Sequence, residues 1–339
     1  MPLFASDNVT AVCPDVMSAI QNANIGTAPS YGDDDWTKRL KARLSDLFEC
    51  EVVVFPTLCG TSCNALALAS ITPPFGTIYC HQLAHINTDE CNAPEFYTGG
   101  AKLISLPGSN GKLTAKGLQD AIIGKGDVHH SQPSTVSLTQ SSESGTLYRV
   151  DEIQAITMVA RHHGLKVHMD GARIANAMSA LAVTPAEMTW KAGIDVLSLG
   201  GTKNGCMGAE ALVFFNKDDA QMTPFLHKRS GQLLSKMRFV SAQLLAYLSD
   251  DLWLKNAAHA NAMAERLSAG LKTINGVELA YPTEANEVFV RLPWSVIEEL
   301  ERAGFDLNED EVVRFVCAWD TRDKDVDKLL SIVEHATST

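Results

Sequence analysis

Val167-His-Met-Asp-Gly-Ala-Arg173, then a helical span, then Asp195-Val-Leu-Ser-Leu-Gly-Gly-Thr-Lys-Asn-Gly205 and Glu210-Ala-Leu-Val-Phe-Phe215 form the stretch that decides the fold. The short apolar runs Leu165–Met169 and Val196–Leu199, each bounded by turn residues, predict buried strands. The first ends on Asp170 and the second on a Ser-Leu-Gly-Gly-Thr-Lys loop that carries Lys203. In an open α/β sheet, ligands gather outside the carboxyl ends of the strands, so both residues are expected to face one crevice.

An acid and a lysine at strand ends are often no more than a salt bridge. Pyridoxal phosphate (PLP) needs the same pair for a chemical reason. A lysine forms the Schiff base, and a carboxylate keeps the pyridine nitrogen protonated so that the ring can act as an electron sink. Gly200, Gly201 and Thr202 let the backbone turn tightly and set a hydroxyl beside Lys203. The pair by itself leaves both readings open.

Outward from this centre, strands and helices alternate. Glu51–Phe55 is a β-branched run, followed by Leu58-Cys-Gly-Thr-Ser-Cys-Asn and an Ala/Leu-rich helix. A strand, a small-residue turn and a helix N-terminus form an anion site, with Gly60, Thr61 and Ser62 placed to cradle a phosphate. Ile78–Cys80 predicts a strand, and His85 follows it in a polar loop. Leu103–Leu106 and Thr135–Leu138 are further strands, the second preceded by His129 and His130 and ending in Thr139-Gln-Ser-Ser-Glu-Ser-Gly-Thr. Asp151–Gly164 reads as an amphipathic helix with a glycine stop. This alternation argues for a mostly parallel, helix-flanked sheet.

Nearer the N-terminus, Tyr31-Gly-Asp-Asp-Asp-Trp opens a helix with acids in its first turn. Past Phe215, Lys228-Arg-Ser-Gly and Lys236-Met-Arg make a basic patch, and one long helical region is expected from about Leu233 to Thr273. The remainder alternates as a small α+β layer. The length of 339 residues suits a large domain over 1–250 and a small C-terminal domain over 251–339.

With 45% hydrophobic residues the chain can build a full core, and a net charge of −12 argues against nucleic acid or an anionic membrane as partner. No apolar run has the length of a spanning helix, and the first ten residues lack a signal pattern, so a cytoplasmic protein is expected. The eight cysteines have no metal-hook or disulfide-framework spacing, so reduced thiols and no metal site are expected.

Taken together, the blocks resemble the threonine aldolases of the PLP-dependent aspartate-aminotransferase superfamily (fold type I), in the low-specificity L-threonine aldolase and phenylserine aldolase branch. The resemblance rests on Phe4-Ala-Ser-Asp-Asn, Tyr31-Gly-Asp-Asp, Gly60-Thr-Ser-Cys-Asn-Ala-Leu-Ala-Leu and His85-Ile-Asn-Thr-Asp-Glu-Cys. It continues through Ser137-Leu-Thr-Gln-Ser-Ser-Glu-Ser-Gly-Thr, Val167-His-Met-Asp-Gly-Ala-Arg, Gly200-Gly-Thr-Lys-Asn-Gly and Val313-Arg-Phe-Val, and so runs almost the full length. It implies an α/β fold with a mostly parallel seven-stranded sheet and a small C-terminal α+β domain.

The resemblance also implies residue roles. Lys203 is the Schiff-base lysine, Asp170 the partner of the pyridine nitrogen, and His85 the ring stacked on the cofactor. Gly60 and Thr61 hold the phosphate, and Arg173 meets the phenolic oxygen on the substrate side. Ser6 and Arg314 bind the substrate carboxylate, while Tyr31 and His129 line the substrate side. Lys228 or Arg229 approaches the site of a neighbouring subunit in a homodimer or homotetramer. Cys59 departs from the family's usual threonine and removes one hydroxyl from the phosphate grip. The implied reaction is retro-aldol cleavage of a β-hydroxy-α-amino acid to glycine and an aldehyde, with His85, His129 or a water as the base. The alternatives are another fold type I reaction, β-elimination or transamination, and a PLP-binding subunit without catalysis.

Overall fold

In the computed structural model, which describes residues 3–307 and 312–338, the two apolar runs lie side by side as parallel strands. The main sheet comprises β1 (Val53–Thr57), β2 (Gly76–His81), β3 (Lys102–Leu106), β4 (Gln132–Thr139), β5 (Lys166–Gly171), β6 (Val196–Leu199) and β7 (Glu210–Phe214). Their order is β1-β7-β6-β5-β4-β2-β3, and only β7 runs against the others.

Strands covered on both faces read as unbroken apolar runs, and successive residues go to opposite sides. Val196 and Leu212 face one core with Leu66 and Ala67 of the helix Gly60–Ile71. Leu197 and Val213 face the other, with Ile153 and Ile156 of the helix Val150–His162. The helix Gly60–Ile71 is buried at every position from Cys63 to Leu68, so it is covered on all sides. Where β6 ends, a Cβ on Gly200 would lie 2.4 Å from the Ala172 carbonyl oxygen. Only glycine lets the loop carrying Lys203 pass so close to the loop that follows Asp170.

A second, antiparallel sheet holds β8 (Glu278–Leu279), β9 (Glu287–Arg291) and β10 (Val313–Val316) in the order β10-β9-β8. Val288, Val290 and Phe315 form its core with Leu267, Leu300 and Leu329 from three helices. Phe4 joins this core: its ring lies 6.2 Å from Phe305 and 6.4 Å from Phe315, and its carbonyl accepts from Val316 N–H at 2.8 Å. Burying that ring is worth roughly 1.5–3 kcal/mol, and it pins the N-terminal strap so that Ser6 and Asp7 reach the main sheet.

The long helix expected between Leu233 and Thr273 is instead two, Arg238–Tyr247 and Leu252–Leu271. Asp250 and Asp251 break it with φ of 50° and 57°. Asp is among the few residues other than glycine that tolerate the left-handed region, and the Ala/Leu pattern on either side hides the break. Among the described residues no helix is long and apolar enough to cross a membrane, and no group of three or more His, Cys, Asp or Glu is arranged to hold a metal.

Candidate active site

Asp170 and Lys203 open into one chamber at the carboxyl ends of β5 and β6. Lys203 sits in the tight turn Thr202–Asn204, which is fastened on both sides. Glu210, the first residue of β7, accepts from Gly201 N–H at 2.9 Å and Thr202 N–H at 3.3 Å. Asn204 is buried and donates to Tyr247 Oη and the Trp253 carbonyl, while its own carbonyl accepts from Asn256. Burial pushes the Glu210 carboxyl up to about 7, opposed by the Thr202 hydroxyl, the two loop amides and Lys203.

Asp170 belongs to a buried chain of polar contacts. Asn64 Nδ2 donates to Asp170 Oδ2 at 2.7 Å and to Glu90 Oε1 at 2.9 Å, using both of its hydrogens. The same Glu90 oxygen lies 2.8 Å from His85 Nδ1. The ring and the strand-end acid are thus held in register by one amide and one carboxylate. The Glu90 contact raises the His85 affinity for a proton, and burial raises that of Glu90. Beneath Asp170, His168 is fully buried between Ser137 and Ser198, and burial lowers its pKa to about 4, so it stays neutral.

An adjoining chamber carries the arginines. Arg173 meets Asp7 through two hydrogen bonds of 2.8 and 3.0 Å, with Glu287 at 3.5 Å. Burial opposes the charge on both partners, but the pairing wins: Asp7 is held below the usual carboxylate range and Arg173 above its usual value. Arg314 is held more loosely, 3.7 Å from Glu287 and 3.5 Å from the Ala5 carbonyl, and its buried Nε has no partner. Ser6 lines the same chamber, and its Oγ accepts from Asn8 N–H. An unpaired guanidinium edge beside a serine suits a ligand carboxylate.

The structure brings Lys203, Asp170, His85, Gly60 and Thr61 together in the inner chamber, and Ser6, Arg173 and Arg314 in the outer one. Four other expected residues lie outside both chambers of this chain, and two of them, Lys228 and Arg229, are ones the resemblance assigns to a neighbouring subunit's site. His129 precedes β4 and so lies exposed at the amino end of that strand, away from the crevice at the carboxyl ends. Tyr31 lines a separate cavity, with Lys228 Nζ 4.5 Å from its ring centre. Lys228 and Arg229 end the helix Thr223–Arg229, both exposed and outside either chamber. Arg173 is buried against Asp7 rather than free for a ligand. Asp7, Asn64, Glu90, Glu143 and Glu210 were not anticipated in the site. Glu210 had a signal, as the lone acid opening an otherwise apolar strand.

The residues fit PLP. Cys59 makes no capping hydrogen bond at the head of the helix Gly60–Ile71, and a Cβ on Gly60 would meet nothing within 4 Å. The space beside the helix's first turn is therefore open towards the chamber that Gly60 and Thr61 line, as a phosphate site requires. Asp170 is anchored by Asn64 and by Ala172 N–H, and Lys203 faces it across the same chamber.

The profile of the family described as "Beta-eliminating lyase" matches residues 4–293. The chain is 43% identical to the low specificity L-threonine aldolase of Pseudomonas sp. (strain NCIMB 10558), over 99% of this chain and 98% of that one. It is 44% identical to the Pseudomonas aeruginosa enzyme of the same description, over 94% and 93%. Among solved structures, threonine aldolase of Leishmania major superposes with a TM-score of 0.93 at 27% identity, covering 99% of this chain and 100% of that one.

Proposed function

Because the chain belongs to the beta-eliminating lyase family and has the fold type I architecture of PLP enzymes, we propose that it splits β-hydroxy-α-amino acids into glycine and an aldehyde. The observation that carries this reading is the pairing of the Asp170–Lys203 chamber with an outer chamber whose Arg314 has a buried, unpartnered Nε. Pyridoxal phosphate, when bound, would supply an electron sink for the pair left on the substrate's Cα when a bond there is broken. Lys203 would anchor it through Nζ, Asp170 would hold its ring nitrogen, and Gly60 and Thr61 would receive its phosphate. His85, fixed through Nδ1, would cover one face.

Arg314 and Ser6 would grip the substrate carboxylate. A two-point grip fixes rotation about the bonds at Cα and so selects which bond is aligned for cleavage. We include phenylserine among the substrates, since a conjugated aldehyde leaves more readily and Phe289 gives the outer chamber an aromatic wall.

The working unit on this reading is a homodimer or homotetramer. Among the described residues, Lys203 is the only Lys or Arg lining the inner chamber, against Asp170, Glu143 and Glu210. A phosphate there calls for more positive charge, and exposed Lys228 and Arg229 would supply it to a neighbouring copy. All eight cysteines are unpaired, in keeping with a reducing cytoplasm.

The test is to incubate the holoenzyme with threonine, allo-threonine and phenylserine and to assay glycine, aldehyde, ammonia and keto acid separately. Glycine and aldehyde in equal amounts are expected. Ammonia with keto acid and no glycine would refute the reading in favour of elimination or transamination.

A further inference from the structure

Among the described residues, Glu143 is the only acid that lines both chambers. It stands between Lys203 and Asp170 on one side and Ser6 and Arg314 on the other, in the loop after β4. That loop is heavily braced. Gly145 N–H donates to the Ser142 carbonyl at 2.9 Å, closing a turn with Glu143 and Ser144 at its centre. Ser142 Oγ accepts from the amides of Ser144 and Thr146 and donates to the Asn110 carbonyl. Gly145, at φ +70°, packs so closely that a Cβ would lie 3.2 Å from both Glu287 and Phe289.

All of this fixes the backbone and leaves the carboxylate uncommitted. Among the described residues it has no hydrogen bond and no ion pair, because Arg173 is taken by Asp7 and Arg314 faces Glu287. The other candidates for a base are poorly placed. His85 is tied to Glu90, which favours its protonated form, and His129 lies at the far end of β4.

We propose that Glu143 is the base that takes the proton from the substrate's β-hydroxyl, an inference that rests on the aldolase reading above. The O–H bond breaks, its proton passes to a Glu143 carboxylate oxygen, and the freed pair becomes the second bond of the aldehyde carbonyl. The Cα–Cβ bond breaks with its pair leaving on the Cα fragment, and a proton added to Cα completes glycine. One proton leaves and one returns, so the reaction balances without an added oxidant or reductant.

The charges around Glu143 suit the task. Burial pushes its carboxyl up to about 7, against the pull of Arg173 and Lys203 and with the push of Glu287 and Asp170. His85, Asp89 and Arg314 complete the walls. A base is most effective when its proton affinity lies near the working pH.

The test compares the wild-type holoenzyme with Glu143→Gln and Glu143→Asp. In Glu143→Gln, kcat for threonine cleavage should fall about 100-fold or more, and the rise of kcat/KM with pH through about 7 should disappear. Exchange of the glycine Cα proton in deuterium oxide involves no hydroxyl and should survive in both variants. Glu143→Asp, which keeps the carboxylate, should recover part of the cleavage. Without substrate, NMR of protein labelled at the glutamate carboxyls should lose one signal titrating near neutrality in Glu143→Gln. Unchanged cleavage in Glu143→Gln, or glycine exchange falling in parallel with cleavage, would overturn the assignment. A wild-type enzyme that exchanges glycine protons yet cleaves no β-hydroxy amino acid would overturn the aldolase reading itself.

Discussion

Changing Asp7 to Asn tests how the N-terminal strap supports the site. Asp7 meets Arg173 through two hydrogen bonds and takes a third from Asn286 at 3.1 Å. An amide in its place keeps the shape, removes the charge and points a donor at another donor. Breaking a buried pair from one side costs about 3–5 kcal/mol. Glu287, 3.5 Å away, still faces Arg173, so the lower end, about 3 kcal/mol, is expected. For a chain of 339 residues that is a fall in Tm of roughly 4 °C. The pH dependence follows from the lowered proton affinity of folded Asp7. Its stabilisation is complete above the unfolded carboxylate value of about 3.9 and is lost as pH falls through the lower folded value. The gap between wild type and Asp7→Asn should be level near neutrality and narrow below about pH 4. Thermal denaturation followed by circular dichroism across pH measures it. Equal Tm at neutral pH, or a gap that widens on acidification, would refute the argument.

Further outcomes concern the two chambers. Lys203→Ala should remove turnover and the visible absorbance of lysine-bound PLP, and a dialysed mutant that keeps both would reverse the assignment. Arg314→Lys lacks the planar fork for a carboxylate, so KM for amino acids should rise about 10- to 100-fold, the equivalent of roughly 1.5–3 kcal/mol, with PLP affinity little changed. Unaltered kinetics would take Arg314 out of the site. Glu90→Gln should lower the His85 proton affinity towards about 6.5, because the carboxylate contact is what raises it. Ring-proton NMR of the apoenzyme reads this directly, and an unmoved titration would break the proposed coupling.

The parts of the site that were legible are those whose logic is local. Asp170 ends one strand, Lys203 follows the next, and Gly60-Thr61 opens a helix, so strand order alone brings them together. His129 was misplaced although the signal was present: it stands before β4, and a residue before a strand lies at the strand's amino end. Asp7 and Asn64 could not be found by such reasoning. Their partners, Arg173 and Asp170, are distant in the chain, and no periodicity links them. Glu143 was visible as an acid in a loop at a strand's carboxyl end. Its lack of a partner among the described residues follows from Arg173 and Arg314 facing other carboxylates, which no local pattern encodes. The helix break at Asp250–Asp251 was hidden because propensity on both sides favours one continuous helix.

The most direct measurement of the central claim follows one bond. Threonine carrying carbon-13 at both Cα and Cβ shows a mutual coupling in its NMR spectrum that exists only while the two atoms are joined. With the holoenzyme, the coupling should disappear as uncoupled signals of glycine Cα and acetaldehyde carbonyl grow together. A coupled pair carried intact into a keto acid would show that the Cα–Cβ bond survives, and would contradict the account.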